Sequence, residues 1–276
     1  MTPDTENPEA QLVQGMRGAI PRNRLGQIHL GLPKSITLRD VLPCLADPLA
    51  TPHLKIDKMR ARVRLSYGWH MLNQARIALV EAEACTVFYE EYRRDHVEAL
   101  YRCQYYLDDA ALRLHSACEH LLRSVVLHWT IELPYKGPST PESRDSLLRR
   151  VLRAAKQSKD GQVRVDITKL LDKLRSSKEW NACMQHRNDW VHNRLPAIAG
   201  LFLDIQFKAF DYEKELPLAI LKDLGLERKR GVAIRVGKGK DIKILRETVR
   251  SAYGELFRVY EGLARMLSKD SRVVAR

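Results

Sequence analysis

The chain lacks the marks of several large protein classes. Its five cysteines, Cys44, Cys85, Cys103, Cys118 and Cys183, form no CxxC pair and no Cys/His ligand spacing. That argues against a structural zinc or other metal site, and an odd, scattered set reads as reduced thiols rather than a disulfide framework. No apolar run approaches the roughly 18 residues that a membrane span needs. The opening residues MTPDTENPEA are polar and acidic, without the charged-then-apolar order of a secretory signal. There is no internal repeat and no low-complexity tract. These absences predict a soluble, cytoplasmic protein with no cofactor and no membrane partner.

Positive charge is what the chain has in excess. Its 47 Lys+Arg against 34 Asp+Glu leave a net charge of +13. Such a balance points to an anionic partner, nucleic acid before membrane surface, although a basic solvated surface is the plain alternative. A hydrophobic content of 45% and a charged content of 29% over 276 residues suit a folded protein with a sizeable core.

Periodicity divides the chain. Residues 1–57 hold seven prolines and short apolar pieces, and they read as a partly ordered arm over the main body. Residues 58–95 contain no proline and only Gly68. Met59, Val63, Tyr67, Met71, Ala75, Ile77, Leu79 and Val80 give them a mostly helical apolar rhythm. The charged stretch from Glu90 to His96 marks a bend or a solvated turn. A second long helix is expected over about 97–132, with Leu107, Ala110, Ala111, Leu114, Cys118, Leu121 and Val125 as its stripe. Two long antiparallel helices of this kind suggest a bundle. Further helices are expected at about 141–158, at 166–177 with Asp166 as its cap, at 178–194, and at 240–268. In the last of these, Ile242, Leu245, Val249, Tyr253, Leu256, Val259 and Leu263 form the stripe. Residues 206–210 and 232–236 alternate as short strands would, inside an insertion of about 196–240. The tail 271–276 reads as flexible. The expected fold is therefore mainly α: an up-and-down bundle over 58–270 with an N-terminal arm and a small insertion containing β-structure.

The string Arg187-Asn188-Asp189-Trp190-Val191-His192 carries the chemistry. Arg presents a planar fork of donors suited to phosphate, and His changes charge near neutral pH. On a regular helix Asn188 and His192 are i,i+4 neighbours. Arg187 falls on a stripe with Trp180, Cys183, Met184, Trp190 and Val191, a costly place for a charge that is neither paired nor used. Spacing alone decides nothing, since Arg64/His70, Arg113/His120, Arg123/His128, Arg24/His29 and Arg22/His29 are similarly spaced. Arg22 is followed by Asn23, but that pair sits behind Pro21 and spans Gly26, which disfavours a helix. Only the 187–192 string joins a polar second residue to a late-helix position before Pro196.

In these features the chain resembles the HEPN superfamily, helical-bundle domains found in ribonucleases and nucleotide-binding modules. Its mark is an Arg, a following polar residue and a His four to six positions beyond the Arg. Arg187, Asn188 and His192 fill those places. The helix from Tyr105 to His120 looks like the long core helix of one branch of bacterial HEPN proteins. The resemblance covers roughly 58–195 and, more loosely, the final helix. It implies a homodimer whose late helices meet in one cleft, with RNA as substrate. It also implies metal-independent cleavage that leaves 2′,3′-cyclic phosphate ends, as in toxin–antitoxin or anti-phage roles, with a neutralising antitoxin or regulatory partner. The alternative within the family is a catalytically silent nucleic-acid-binding or scaffolding protein.

In the nuclease reading His192 is the general base or acid, Arg187 holds the scissile phosphate, and Asn188 orients His192 or a phosphate oxygen. Asp108, Asp109 and Glu119 on the core helix could support the site, at most one of the adjacent pair facing inward. A purely structural alternative has Arg187 bridging Asp108 or Asp109 and His192 capping its helix. A metal held by Asp108, Asp109 and His115 is the weaker reading, since such acid pairs are usually solvated. Arg149, Arg150, Arg153, Arg194, Arg228, Lys229 and Arg230, with Lys238, Lys240 and Lys243, could track an RNA backbone. Tyr105, Tyr106 and Trp129 could stack bases or simply pack in the core.

Overall fold

Long helices with one apolar face need partners for that face, and the structure, a computed structural model, supplies them from within the chain. It describes residues 20, 56–133, 147–157, 161–193, 198–199, 204–211, 230–237 and 239–274, without side chains at 92, 161–164, 192–193, 204–211, 230–237 and 268–274. The described helices are α1 (Ile56–Val87), α2 (His96–His128), α3 (Leu147–Gln157), α4 (Gly161–Ser176), α5 (Lys178–Asn188) and α6 (Ile242–Val274). The fold is mainly helical and bundled.

The hairpin of α1 and α2 is its centre. α1 runs into a π-helical turn, Phe88–Arg93, which ends at Arg94 in a left-handed conformation. Asp95 then caps α2, its carboxylate accepting the Glu98 N–H at 3.0 Å. Arg113 of α2 donates to Gln74 of α1, and Gly68 of α1 lies against His120 of α2. Position numbers thus rise on one helix as they fall on the other, so the pair is antiparallel. The expected stripe of α2, from Leu107 to Val125, is buried throughout.

The expected stripe of α1 is only half right. Ala75, Leu79 and Val80 are buried, but Met59, Val63, Tyr67 and Ile77 are exposed. Ala61, Leu65, Gly68, Trp69 and Leu72 face the core instead. α1 carries two apolar lines, and packing against α6 selects between them. Trp69 sets its ring 5.8 Å from Phe257 and 6.0 Å from Tyr260. The Tyr260 hydroxyl donates to the Ala117 carbonyl at 2.7 Å. Gly68 makes that reach possible, because a Cβ there would overlap the hydroxyl and lie 2.9 Å from His120 Cβ. Arg246 joins α6 to Glu83 of α1 at 3.2 Å, so α6 also runs antiparallel to α1.

Other boundaries moved as well. α4 begins at Gly161, which places Asp166 inside the helix instead of at its cap. α6 continues to Val274, through most of the segment expected as a flexible tail. Its stripe from Leu245 to Leu263 is buried as its spacing predicts. Lys156 of α3 pairs with Asp172 of α4 at 3.3 Å. Strands β1 (Asp204–Asp211) and β2 (Arg230–Gly237) pair antiparallel, Asp204 opposite Gly237 and Asp211 opposite Arg230. They span the two alternating segments. Of the arm 1–57, only Ile20, Ile56 and Asp57 are described. Ile20 is buried with Ala84, Cys85, Phe88, Tyr89 and Ala99.

Cys85, Cys103, Cys118 and Cys183 are free and buried. Burial pushes the first, third and fourth up to about 12 and Cys103 to about 11, so these thiols stay protonated and unreactive at neutral pH. Cys44 lies outside the described residues. Among the described residues no helix is long and apolar enough to cross a membrane.

Candidate functional site

The site is built on α5, and its start is fixed by short-range hydrogen bonds. The Ser177 hydroxyl accepts the Trp180 N–H at 3.1 Å, a normal helix cap. Asn181 Nδ2 donates to the Arg175 carbonyl at 2.9 Å, which ties α5 to the end of α4. From there Trp180, Cys183 and His186 are buried at three-residue intervals. Each such step drifts the buried line away from an α-helical repeat. Arg187 therefore sits on the flank, half-buried, and Val191 is exposed.

The side chain that meets the core is His186, which sequence reasoning missed. Its Nε2 lies 2.6 Å from Asp108 Oδ1 of α2, with side-chain exposures of 2% and 8%. A carboxylate only accepts, so Nε2–H donates to Asp108 when that group is ionised. Nδ1 is buried with no hydrogen-bond partner among the described residues. At the Nε2–Oδ1 contact each polar atom has its partner, which offsets part of the cost of burying the pair. The one available signal was the three-residue spacing of Trp180, Cys183 and His186, which fits a buried line as well as the stripe through Arg187 does.

The pairing sorts the expected supporting acids. Asp108 reaches α5. Asp109 turns away to Arg113 at 2.8 Å, as adjacent positions on a helix must. Glu119 lies eleven residues further along α2, about 16 Å at the helical rise, and its charge acts on Cys118 and His120. Asp108 is thus taken up by His186 and Asp109 by Arg113, and Asp108, Asp109 and His115 form no metal-binding group among the described residues. Among the described residues no three His, Cys, Asp or Glu side chains are grouped as metal ligands.

Beyond His186 the chain turns to solvent. Arg187 Nη1 donates to the Asn188 side-chain oxygen at 3.0 Å, and Asn188 is exposed. The helix then widens into a π turn, Asp189–Asn193, instead of continuing as α-helix to 194. In that geometry carbonyls pair five residues on, which changes the register that placed Asn188 and His192 on one face. The backbone of His192 lies in this turn, and its side chain is outside the described residues. Asp189 anchors the turn, accepting from Gln185 Nε2 at 2.8 Å and pairing with Lys240 at 3.7 Å.

Lys240 is therefore part of the site's frame. Its carbonyl accepts the Ala199 N–H at 3.0 Å, and a parallel bridge joins it to Ile198. Gly239 permits the approach, since a Cβ there would stand 2.6 Å from the Ala199 nitrogen. The other expected RNA-tracking residues lie on separate elements. Arg149 and Arg153 are exposed on α3, Arg230 begins β2, and Arg194, Arg228, Lys229 and Lys238 lie outside the described residues. Tyr105 is exposed with its ring 5.3 Å from Tyr106, while Tyr106 and Trp129 pack against the core.

Compared with family models, curated proteins and solved structures, the chain matches none.

Proposed function

We propose that this chain is a metal-independent endoribonuclease of the HEPN type. The observation that carries the reading is Arg187 beside Asn188 at the solvent side of α5, directly after the buried His186–Asp108 pair. A phosphate-binding fork is thereby mounted on a helix that the core holds fixed, as catalysis by positioning requires. The net charge of +13 supports an anionic substrate.

In this reading the ribose 2′-oxygen forms a bond to the adjacent phosphorus, and the bond from phosphorus to the 5′-oxygen breaks. His192 takes the 2′-hydroxyl proton or supplies the proton of the departing 5′-oxygen. Arg187 binds the non-bridging oxygens as their negative charge grows, and Asn188 steadies the guanidinium through the contact already present. The products are a 2′,3′-cyclic phosphate and a 5′-hydroxyl, and DNA resists because it lacks the nucleophile. The reading includes a homodimer that joins two such helix ends in one cleft, the 196–240 segment as an insertion in the bundle, and a neutralising antitoxin as partner.

The test is cleavage of total bacterial RNA in EDTA with end-group mapping. Wild-type protein should leave cyclic phosphate ends. Arg187→Ala should cut about 10²–10³-fold more slowly while still folding, and His192→Ala should not cut. Equal cleavage by wild type and both variants would sink the assignment. Wild-type protein that binds RNA without cutting it would replace the enzyme by a silent binding module.

A further inference from the structure

A second constellation lies where α1 meets α2, away from α5. Tyr67 is 55% exposed, and its ring stands 6.0 Å from the His120 imidazole at an angle of 55°. Arg64 precedes Tyr67 by three residues and Arg123 follows His120 by three, so each helix sets a guanidinium one turn from its ring. Both arginines act on His120, whose pKa is lowered first by burial, then by Arg64 and Arg123, against a smaller opposing effect of Glu119. His120 is held neutral, and the positive charge of the face is that of the arginines.

Nearby, Arg60 pairs with Asp57 at 3.7 Å and Arg113 with Asp109 at 2.8 Å. Arg64 and Arg123 have no ion pair or hydrogen bond among the described residues, and His120 Nδ1 is buried without a partner. The arrangement is also stiff, because the close approach at Gly68 that lets Tyr260 reach Ala117 holds His120 against α1.

We propose that Arg64, Tyr67, His120 and Arg123 form a docking platform for single-stranded RNA, distinct from the Arg187 end of α5. A base stacks on the exposed ring of Tyr67, and the two guanidiniums take the flanking phosphates. A single strand is required because a duplex keeps its base faces covered. The platform lies twelve residues along α2 from the Asp108 contact, about 18 Å at the helical rise, a span of a few nucleotides. It thus holds the strand that the α5 end cuts, and in that respect it rests on the ribonuclease reading. The exposed apolar neighbours Met59 and Val63 make an anionic bilayer the competing occupant.

The experiment is binding of the full chain to a fluorescent 2′-O-methyl oligoribonucleotide, which cannot be cleaved by 2′-hydroxyl attack, across a salt series. Vesicles containing phosphatidylserine are titrated in parallel. Tyr67→Ala should weaken binding roughly tenfold, and Tyr67→Phe should retain it. The double change Arg64→Gln with Arg123→Gln should lower the slope of log affinity against log salt by about 1.4, the single-strand value for two phosphate contacts. Circular dichroism melts confirm that each variant folds.

Wild-type affinity in Tyr67→Ala, or equal losses in the Ala and Phe variants, would overturn the platform while leaving the ribonuclease reading intact. Loss of vesicle binding in these variants without loss of oligonucleotide binding would assign the face to a lipid surface and overturn it too. A wild type that binds no oligonucleotide yet cuts RNA would remove the platform alone; one that does neither would remove both.

Discussion

His186 lies between α5 and α2 with a carboxylate against its Nε2, whereas His120 lies between α2 and α1 with two guanidiniums in reach. Both imidazoles leave a buried Nδ1 without a hydrogen-bond partner among the described residues. The company each keeps decides what it does. The acid beside His186 turns a buried ring into a cross-link between helices 78 positions apart. Burial first, and then the cations beside it, lower the pKa of His120, and the arginines leave a positive, half-open face. One histidine stabilises the frame under the Arg187 end, and the other belongs to a surface still able to take a ligand.

The comparison breaks most sharply at the buried pair. His186→Ala should cost about 3–5 kcal/mol, because the Asp108 carboxylate is left buried with no partner. Urea denaturation measures it, and a loss under about 1 kcal/mol would show that the contact does not hold α5 to α2. Replacing both residues by leucine should recover most of the loss, since two apolar groups leave nothing unsatisfied.

Next in size is Gly68→Ala. Alanine adds up to about 1 kcal/mol of helix propensity, but its methyl collides with the Tyr260 hydroxyl and presses on His120. Overpacking of this kind costs about 1–3 kcal/mol, so the change should destabilise on balance. A more stable variant would show that α1, α2 and α6 are not in this close contact.

The smallest effect concerns pH. The folded protein holds His120 below its ordinary value, so the unfolded chain binds that proton more readily. Stability is then fully present above the ordinary histidine pKa near 6.5 and is lost as pH falls from there toward the folded value. His120→Gln should flatten that part of the stability profile between neutral pH and pH 5. An unchanged slope would mean that another group carries it.

Much of this frame could be read from the chain, and the reasons are local. The stripe from Leu107 to Val125 on α2 and that from Leu245 to Leu263 on α6 each repeat at helical spacing and are buried as that spacing predicts. The bend near Arg94 follows from the charged run at 90–96. The Arg187–Asn188 contact joins neighbours in sequence. By contrast, α1 offers Met59, Val63 and Tyr67 as well as Leu65, Trp69 and Leu72, and periodicity cannot choose between two apolar lines. On α5 the buried polar side chain is one residue from the expected one, because a three-residue buried line and a widened turn shift the register.

The sequence by itself determined the helical class, where the long helices lie, the excess of positive charge and the Arg–Asn–His string. Each depends on residue type and on spacings of a few positions, which the backbone geometry of a helix converts directly into faces. Only the tertiary structure decided which line of α1 enters the core, that Asp108 belongs to His186, that Lys240 braces Asp189, and that two arginines and two rings meet across α1 and α2. Those outcomes join residues far apart in the chain. They follow from how closely helices can approach, as at Gly68, and from the cost of burying a polar group without its partner.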